Sequence, residues 1–152
     1  MTFRKTSLSH AREIDKDAAL SSFTMLNPLN KFILSGDWIL HVASGRVTEF
    51  NVNMTAILSN GTHFHTHEIT NFHQATNESA VHLGLNNTVL IKGSSDVGAN
   101  HVITWRNVPT VISISNGKLL VIMLDDKATQ HHFAAQPIYG FVKELATSIS
   151  NG

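Results

Sequence analysis

A row of three alternating histidines directly after an Asn-Gly pair constrains the fold of this chain more than any other feature. Residues 50–58 alternate between apolar and mostly polar side chains, Asn60 and Gly61 follow, and then His63, His65 and His67 repeat at every second position. Such alternation is the period of a half-buried β-strand. Asn-Gly is the strongest short-range signal for a two-residue type I′ turn, because both of its central residues need a positive φ. The pattern therefore predicts a β-hairpin.

The hairpin register predicts where the three imidazoles point. If Asn60 and Gly61 form a two-residue loop, each histidine lies opposite an apolar residue of the first strand: His63 opposite Leu58, His65 opposite Ala56, and His67 opposite Met54. Directly opposed residues share one face of a sheet. The register therefore predicts that the whole row faces the protein interior, and a slip of one residue would reverse this.

Imidazole is the commonest protein ligand for zinc and copper, so the row is a candidate metal site. Positions i and i+2 on a strand are about 7 Å apart, and a metal–imidazole bond measures about 2.0–2.1 Å. Two neighbours in the row can therefore share one ion, whereas all three cannot. The candidate pairs are His63 with His65 and His65 with His67.

A further ligand must then come from a distant part of the chain, and His131 and His132 are the best candidates. They follow an apolar run at 119–124 and a polar segment at 125–127, and neighbours in an extended segment point to opposite faces. One of the two is therefore expected to face inward. The predicted ligands of a Zn or Cu ion are thus His63, His65, His67, His131 and His132. The alternative is a set of core histidines bonded to backbone, side chains or water, with a solvated pair at 131–132.

Composition excludes several classes of function. The 152 residues suit one domain, the formal net charge is zero, and charged residues make up 14% of the chain. With no basic stripe and no nucleic-acid-reading motif, nucleic acid is not an expected partner. No apolar run reaches about 18 residues, so no transmembrane helix is predicted. The absence of cysteine excludes disulfides and thiolate metal ligands.

The domain organisation expected from the pattern is all-β. Residues 31–146 are predicted to form one antiparallel β-barrel or β-sandwich, because short alternating segments are separated by turn signals, including a second Asn-Gly pair at 116–117. Residues 1–30 are expected to form a helix, at about 9–26, or a flexible arm, and 147–152 a disordered tail. The Gly-rich segment 93–98 is read as a break between two short strands. The strand at 118–124 is apolar on both faces, which predicts that both are covered.

The segments 65–72 and 124–133, with Gln136-Pro137-Ile138-Tyr139-Gly140 after them, resemble uncharacterised small β-rich proteins of ammonia-oxidising archaea. The resemblance covers roughly residues 32–145 and implies an archaeal, exported protein, but it brings no established activity with it. Four glycosylation sequons also favour an extracellular or cell-surface location, although no signal peptide is visible in this chain. They begin at Asn53, Asn60, Asn77 and Asn86.

The sequence is compatible with three functions. The first is a metal-binding β-protein, which becomes a metal-dependent hydrolase or hydratase if three histidines leave a fourth position open for water. The second is an extracellular structural or assembly subunit that forms a homo-oligomer, which the low charge and the two-sided apolar strand favour. The third is a small-ligand-binding barrel in which the histidines are the polar groups of an apolar cavity.

Overall fold

The computed structural model describes residues 2–7, 23–27 and 30–148, and within these ranges the protein is all-β. Its strands are β1 (Thr2–Ser7), β2 (Phe23–Asn27), β3 (Asn30–Ala43), β4 (Arg46–Leu58), β5 (His65–Gln74), β6 (Thr88–Ala99), β7 (Val102–Ser115), β8 (Leu119–Leu124), β9 (Ile138–Phe141) and β10 (Glu144–Ser148). All pairings are antiparallel, in the order β10-β1-β3-β4-β5-β6-β7-β8-β9, with β2 also paired to β3. The predicted antiparallel β-domain is confirmed.

The sheet curls into a barrel-like shape, so that its two ends approach each other. The strands at the ends of the order, β9 and β10, are consecutive in the chain and only Val142 and Lys143 separate them. On β9, a Cβ at Gly140 would lie 2.9 Å from the indole Nε1 of Trp38, which belongs to β3. The curl encloses one apolar core, whose most deeply buried side chains include Leu40, Phe50, Ile69, Val97, Val108, Ile112 and Ile122.

From His65 onward the register of β4 against β5 is the one predicted from the sequence, whereas the predicted pairing of His63 with Leu58 does not form. Ala56 pairs with His65, Met54 with His67, and Val52 with Ile69. The second Asn-Gly pair forms the expected turn, because Asn116 and Gly117 both adopt positive φ, at 51° and 63°. The Asn60–Gly61 pair also marks a hairpin, but the predicted two-residue type I′ turn there is wrong, because Asn60 does not adopt a positive φ and the Leu58 amide bonds the Thr62 oxygen.

The predicted break at 93–98 is wrong, because this segment is the second half of the continuous strand β6. Its glycines allow close packing rather than a turn: a Cβ at Gly93 would lie 2.2 Å from the carbonyl oxygen of His73. Two irregularities in the β6–β7 register, between Ser95 and Val97 and between Val97 and Gly98, are accommodated within the ladder.

The terminal segments differ in part from their predictions. Thr2–Ser7 and Phe23–Asn27 are strands, so the last residues of the helix predicted at about 9–26 are extended. Residues 8–22 lie outside the described residues, as do 149–152, and β10 extends to Ser148 within the segment predicted as a tail.

The outer face of β8 is less covered than the sequence led us to expect. Leu120 and Ile122 are 1% exposed, whereas Leu119 and Val121 are only half-buried and Met123 is 39% exposed. In the described part of the chain, no helix is long and apolar enough to cross a membrane.

We expect Gly36→Ala to lower the free energy of unfolding by about 2 kcal/mol or more, because the new Cβ would lie 2.0 Å from the backbone oxygen of Asn53 on the paired strand. Urea denaturation measures the change. Gly84→Ala is the control, since its close neighbour is a movable side-chain oxygen of Asn87. Equal stability of the two variants would show that β3 and β4 can separate without cost.

Candidate metal centre

Two histidines of the row enter the barrel from β5. Because they are two residues apart on one strand and lie opposite Ala56 and Met54, His65 and His67 project from the same, inner face. His67 is 1% exposed and His65 is half-buried. Their ring centroids are 4.7 Å apart, whereas positions i and i+2 on a strand are about 7 Å apart, so the two rings converge.

The third histidine is carried by the loop of residues 125–137 between β8 and β9, which we call the His132 loop. The loop contains no glycine, yet it winds through successive tight turns. Backbone hydrogen bonds hold these turns, for example from the amide of Thr129 to the oxygen of Asp125 and from the amide of His132 to the oxygen of Thr129. This winding directs His132 and the buried ring of Phe133 against the histidines of β5.

Together, His65, His67 and His132 form a group that can hold a metal ion. One ring nitrogen from each lies within 4.8 Å of the others. The Nε2 atoms of His67 and His132 are 3.1 Å apart, and the ring centroids of the same two residues are 4.8 Å apart. Two nitrogens bound to one tetrahedral ion at about 2.0–2.1 Å lie about 3.3 Å apart, so this pair already has nearly the spacing that an ion requires.

Backbone carbonyls set the tautomers of both β5 histidines. Nδ1 of His67 lies 3.0 Å from the carbonyl oxygen of Gly98, and Nδ1 of His65 lies 3.0 Å from the carbonyl oxygen of His63. A carbonyl only accepts, so each Nδ1 carries the hydrogen and each Nε2 of the neutral ring keeps its lone pair. This is how ligating histidines are commonly oriented in metal sites. Nε2 of His132 then donates a hydrogen bond to Nε2 of His67, and its hydrogen lies between the two nitrogens, where a metal ion would lie.

Burial favours the uncharged forms of His67 and His132. Desolvation lowers the pKa of His67 to about 4, with smaller contributions from His132 and His65, against an opposing hydrogen bond to Gly98. Desolvation, together with the proximity of His65, also lowers the pKa of His132. Neutral imidazoles bind a metal without a net release of protons; His67 offers its Nε2 lone pair directly, and His132 does so once the hydrogen on its Nε2 has moved to Nδ1.

Aromatic and aliphatic side chains surround the three rings. Phe32 packs edge-on against His65 at a centroid distance of 5.3 Å, Phe133 lies 5.1 Å from His67, and Trp105 lies 5.1 Å from His132. The void that these histidines share with Phe32, Leu34, Ala56 and Phe133 measures about 10 Å³. Such a volume holds one ion or one water and no organic molecule.

His63 stands outside the group, contrary to the predicted row. The turn of residues 58–61 is closed by a hydrogen bond from the amide of Gly61, at φ 83°, to the oxygen of Leu58. The amide of Leu58 in turn donates to the oxygen of Thr62. Between the Leu58–Thr62 contact and the Ala56–His65 pair, β4 spans two residues but the opposite segment spans three, so the opposite segment contains one extra residue. His63, exposed and at φ 59°, lies in this irregular segment. It supplies a carbonyl to His65 rather than a ring nitrogen to the group.

His131 is the member of the loop pair that points outward. Its Nδ1 contacts the carboxylate of Asp126, and its side chain is 70% exposed. The expectation that only one of the two adjacent histidines faces inward therefore holds, and that residue is His132.

Sequence reasoning missed Trp105 as a neighbour of the site and Gly98 as a hydrogen-bond acceptor. No short motif marks either of them, since both arrive through the pairing of β6 with its neighbours.

The pKa of His67 predicts a pH dependence for the stability of metal-free protein. Between pH about 6.5 and about 4, the unfolded chain binds a proton at this residue that the folded chain does not, so stability falls as the pH falls. The loss reaches about 3 kcal/mol once the pH passes the folded pKa. Urea unfolding of chelator-treated protein at pH about 7 and about 4.5 measures it. His67→Gln should show a smaller difference, and an equal one would contradict the assignment.

Comparison of the chain with protein-family models, with curated protein sequences and with solved structures finds no match in any of the three. The three convergent histidines, His65, His67 and His132, are therefore the feature from which a function is inferred.

Proposed function

We propose that this protein binds one zinc or copper ion through the Nε2 atoms of His65, His67 and His132. The observation that carries the proposal is the convergence of three ring nitrogens within 4.8 Å, from two separate parts of the chain, inside an apolar wall. Two of the rings have their Nδ1 atoms bonded to carbonyls, so their Nε2 atoms are available. A core histidine that needs only a hydrogen-bond partner does not require two others beside it.

The donor set favours zinc or copper over other metals. All three donors are imidazole nitrogens, and within the described residues no carboxylate belongs to the group. Calcium and magnesium require oxygen ligands, so neither fits. Zinc and copper both bind imidazole readily, and the chain has no cysteine to select a softer ion.

Three histidine ligands leave a fourth position for water, which gives the site an enzymatic variant. Because no charged protein ligand offsets a divalent ion there, an ionised water is electrostatically favoured. Zinc in such a site lowers the pKa of bound water to about 7, which supplies a nucleophile for hydration or hydrolysis. The half-burial of His65 and His132 supports access from one side. A void of about 10 Å³ counts against the third alternative, a ligand-binding barrel with its cavity at the histidines.

The test is metal titration of chelator-treated protein by calorimetry, with His65→Ala, His67→Ala and His132→Ala as the variants. We expect wild type to bind one Zn²⁺ or Cu²⁺ per chain, and each variant to bind at least about 100-fold more weakly, because two ligands remain of three. Trp105, at 5.1 Å from the His132 ring, provides a second readout, since bound Cu²⁺ should quench its fluorescence.

The matched control is His63→Ala, because His63 belongs to the same row but its ring lies outside the group and its carbonyl is retained. This variant should bind the metal as wild type does. A wild type that takes up neither ion in stoichiometric amount would overturn the proposal, and so would a His67→Ala variant with undiminished affinity.

A second candidate function, an extracellular assembly subunit, is favoured by the outer face of β6–β8. There Leu90 and Met123 are exposed, and the half-buried Val111 and Val121 lie beside them in the strand register. Apolar patches on a sheet face commonly mark an interface. The four sequon asparagines, Asn53, Asn60, Asn77 and Asn86, are all exposed, which supports an extracellular location.

If this face joins two copies of the chain, light scattering after size-exclusion chromatography should give the mass of a dimer or larger assembly. Met123→Glu should then return the protein to a monomer, because it buries a charge in the interface. Leu85→Glu, at an exposed apolar residue outside the patch, is the control. Monomeric wild type at high concentration would refute the assembly.

A further inference from the structure

We propose that Asp126 is a positioning residue of the metal centre, which fixes His132 in its binding geometry by fastening the His132 loop on both sides of it. The inference rests on the metal site proposed above and adds a residue that does not itself belong to the ligand group. Asp126 lies at the start of the loop, and its side chain is 28% exposed.

The carboxylate of Asp126 bonds two residues that flank His132 in the chain. One oxygen, Oδ2, contacts Nδ1 of His131, immediately before His132. The other, Oδ1, accepts a hydrogen bond of 2.9 Å from the amide of Ala135, three residues after it. The backbone oxygen of Asp126 also accepts the amide hydrogen of His131 at 2.7 Å. The residues between these contacts, His132 and Phe133, are the two whose rings pack against His67.

The loop needs such a fastening because its backbone is unfavourable on both sides of His132. Gln130 and His131 have φ of 54° and 61°, and Ala134 and Ala135 have φ of 53° and 54°. Residues with a Cβ rarely adopt this left-handed conformation, and alanine has no polar side chain to support it locally. Such backbone persists only where surrounding contacts hold it, and the two bonds of the Asp126 carboxylate end at His131 and Ala135, within the two strained pairs.

The three ligands differ in how firmly the fold holds them. His65 and His67 are fixed by the β4–β5 ladder and by carbonyl hydrogen bonds to their Nδ1 atoms. The position of His132 depends on a loop that belongs to no strand. Only the fraction of molecules with His132 in place binds with full affinity, so a contact that raises this fraction raises the apparent affinity. The hydrogen bond from His131, together with that from the amide of Ala135, holds the pKa of Asp126 below its usual range, as expected for a carboxylate that accepts both bonds.

The experiment compares Zn²⁺ affinity in wild type, Asp126→Ala and Asp125→Ala by competition with a chromophoric chelator. Asp125→Ala is the matched control, because it removes the same charge from the same loop, whereas the bond that the described residues show for this carboxylate comes from the amide of Ala128, before His132. We expect Asp126→Ala to bind about 10- to 100-fold more weakly, the usual effect of losing a group that orients a ligand. Asp125→Ala should stay within about threefold of wild type.

A spectrum separates positioning from mere loss of stability. With Co²⁺ at saturation, Asp126→Ala should show an altered visible absorption band, since His132 no longer approaches the ion at its native angle, whereas Asp125→Ala should keep the wild-type band. If Asp126→Ala does not fold, His131→Ala removes one of the two contacts and should lower affinity more than His82→Ala, an exposed histidine elsewhere.

Equal affinity and spectra for Asp126→Ala and wild type would overturn the positioning role while leaving the metal site intact. Equal losses in the two aspartate variants would also overturn it, because the effect would then be general to the loop. Failure of wild type itself to bind Zn²⁺ or Co²⁺ refutes the site proposed above, so the two failures are distinguishable.

Discussion

The antiparallel pairing of β4 with β5 is the constraint on which the site depends. By placing Ala56 and Met54 opposite His65 and His67, it turns two imidazoles toward the interior, where His67 is buried and His65 half-buried. Since side chains alternate along a strand, a slip of one residue would turn both outward. The carbonyl oxygens of His63 and Gly98 then take up the Nδ1 hydrogens, and the lone pairs that remain face a common point. The backbone hydrogen bonds thus determine which ring nitrogens of His65 and His67 can bind a metal ion.

Burial removes water from the imidazole nitrogens of the cluster, so leaving them without a hydrogen-bond partner costs free energy and a bound cation can compensate for it. Desolvation lowers the pKa values of His67 and His132, so the rings remain neutral where isolated histidines would begin to charge. Phe32, Trp105 and Phe133 exclude water from much of the rim, which strengthens any ion–imidazole interaction. The metal-free protein retains one hydrogen bond between His67 and His132 in place of a metal ion. The same apolar wall therefore accounts for the expected acid sensitivity and for the expected affinity.

Much of the fold and part of the site could be predicted from the sequence, and the misses have physical causes. Alternation fixed the faces of β4 and β5, and the Asn116–Gly117 turn followed from the positive φ that both residues adopt. The sequence could not exclude His63, because that depended on whether the Asn60–Gly61 turn left an extra residue in the opposite segment. Nor could it choose between His131 and His132, since the choice depends on a loop with left-handed backbone at residues that seldom adopt it. Gly93 and Gly98 were read as turn formers, although their lack of a Cβ allows a neighbouring strand to approach closely.

The most direct test of the central claim is X-ray absorption spectroscopy of the zinc- or copper-loaded protein, which reports the atoms bound to the ion itself. The account predicts a first shell at about 2.0–2.1 Å that contains three imidazole nitrogens, with the outer-shell scattering that rigid histidine rings produce, and one further light atom. A first shell made only of oxygen, or one that contains a single imidazole, would contradict it.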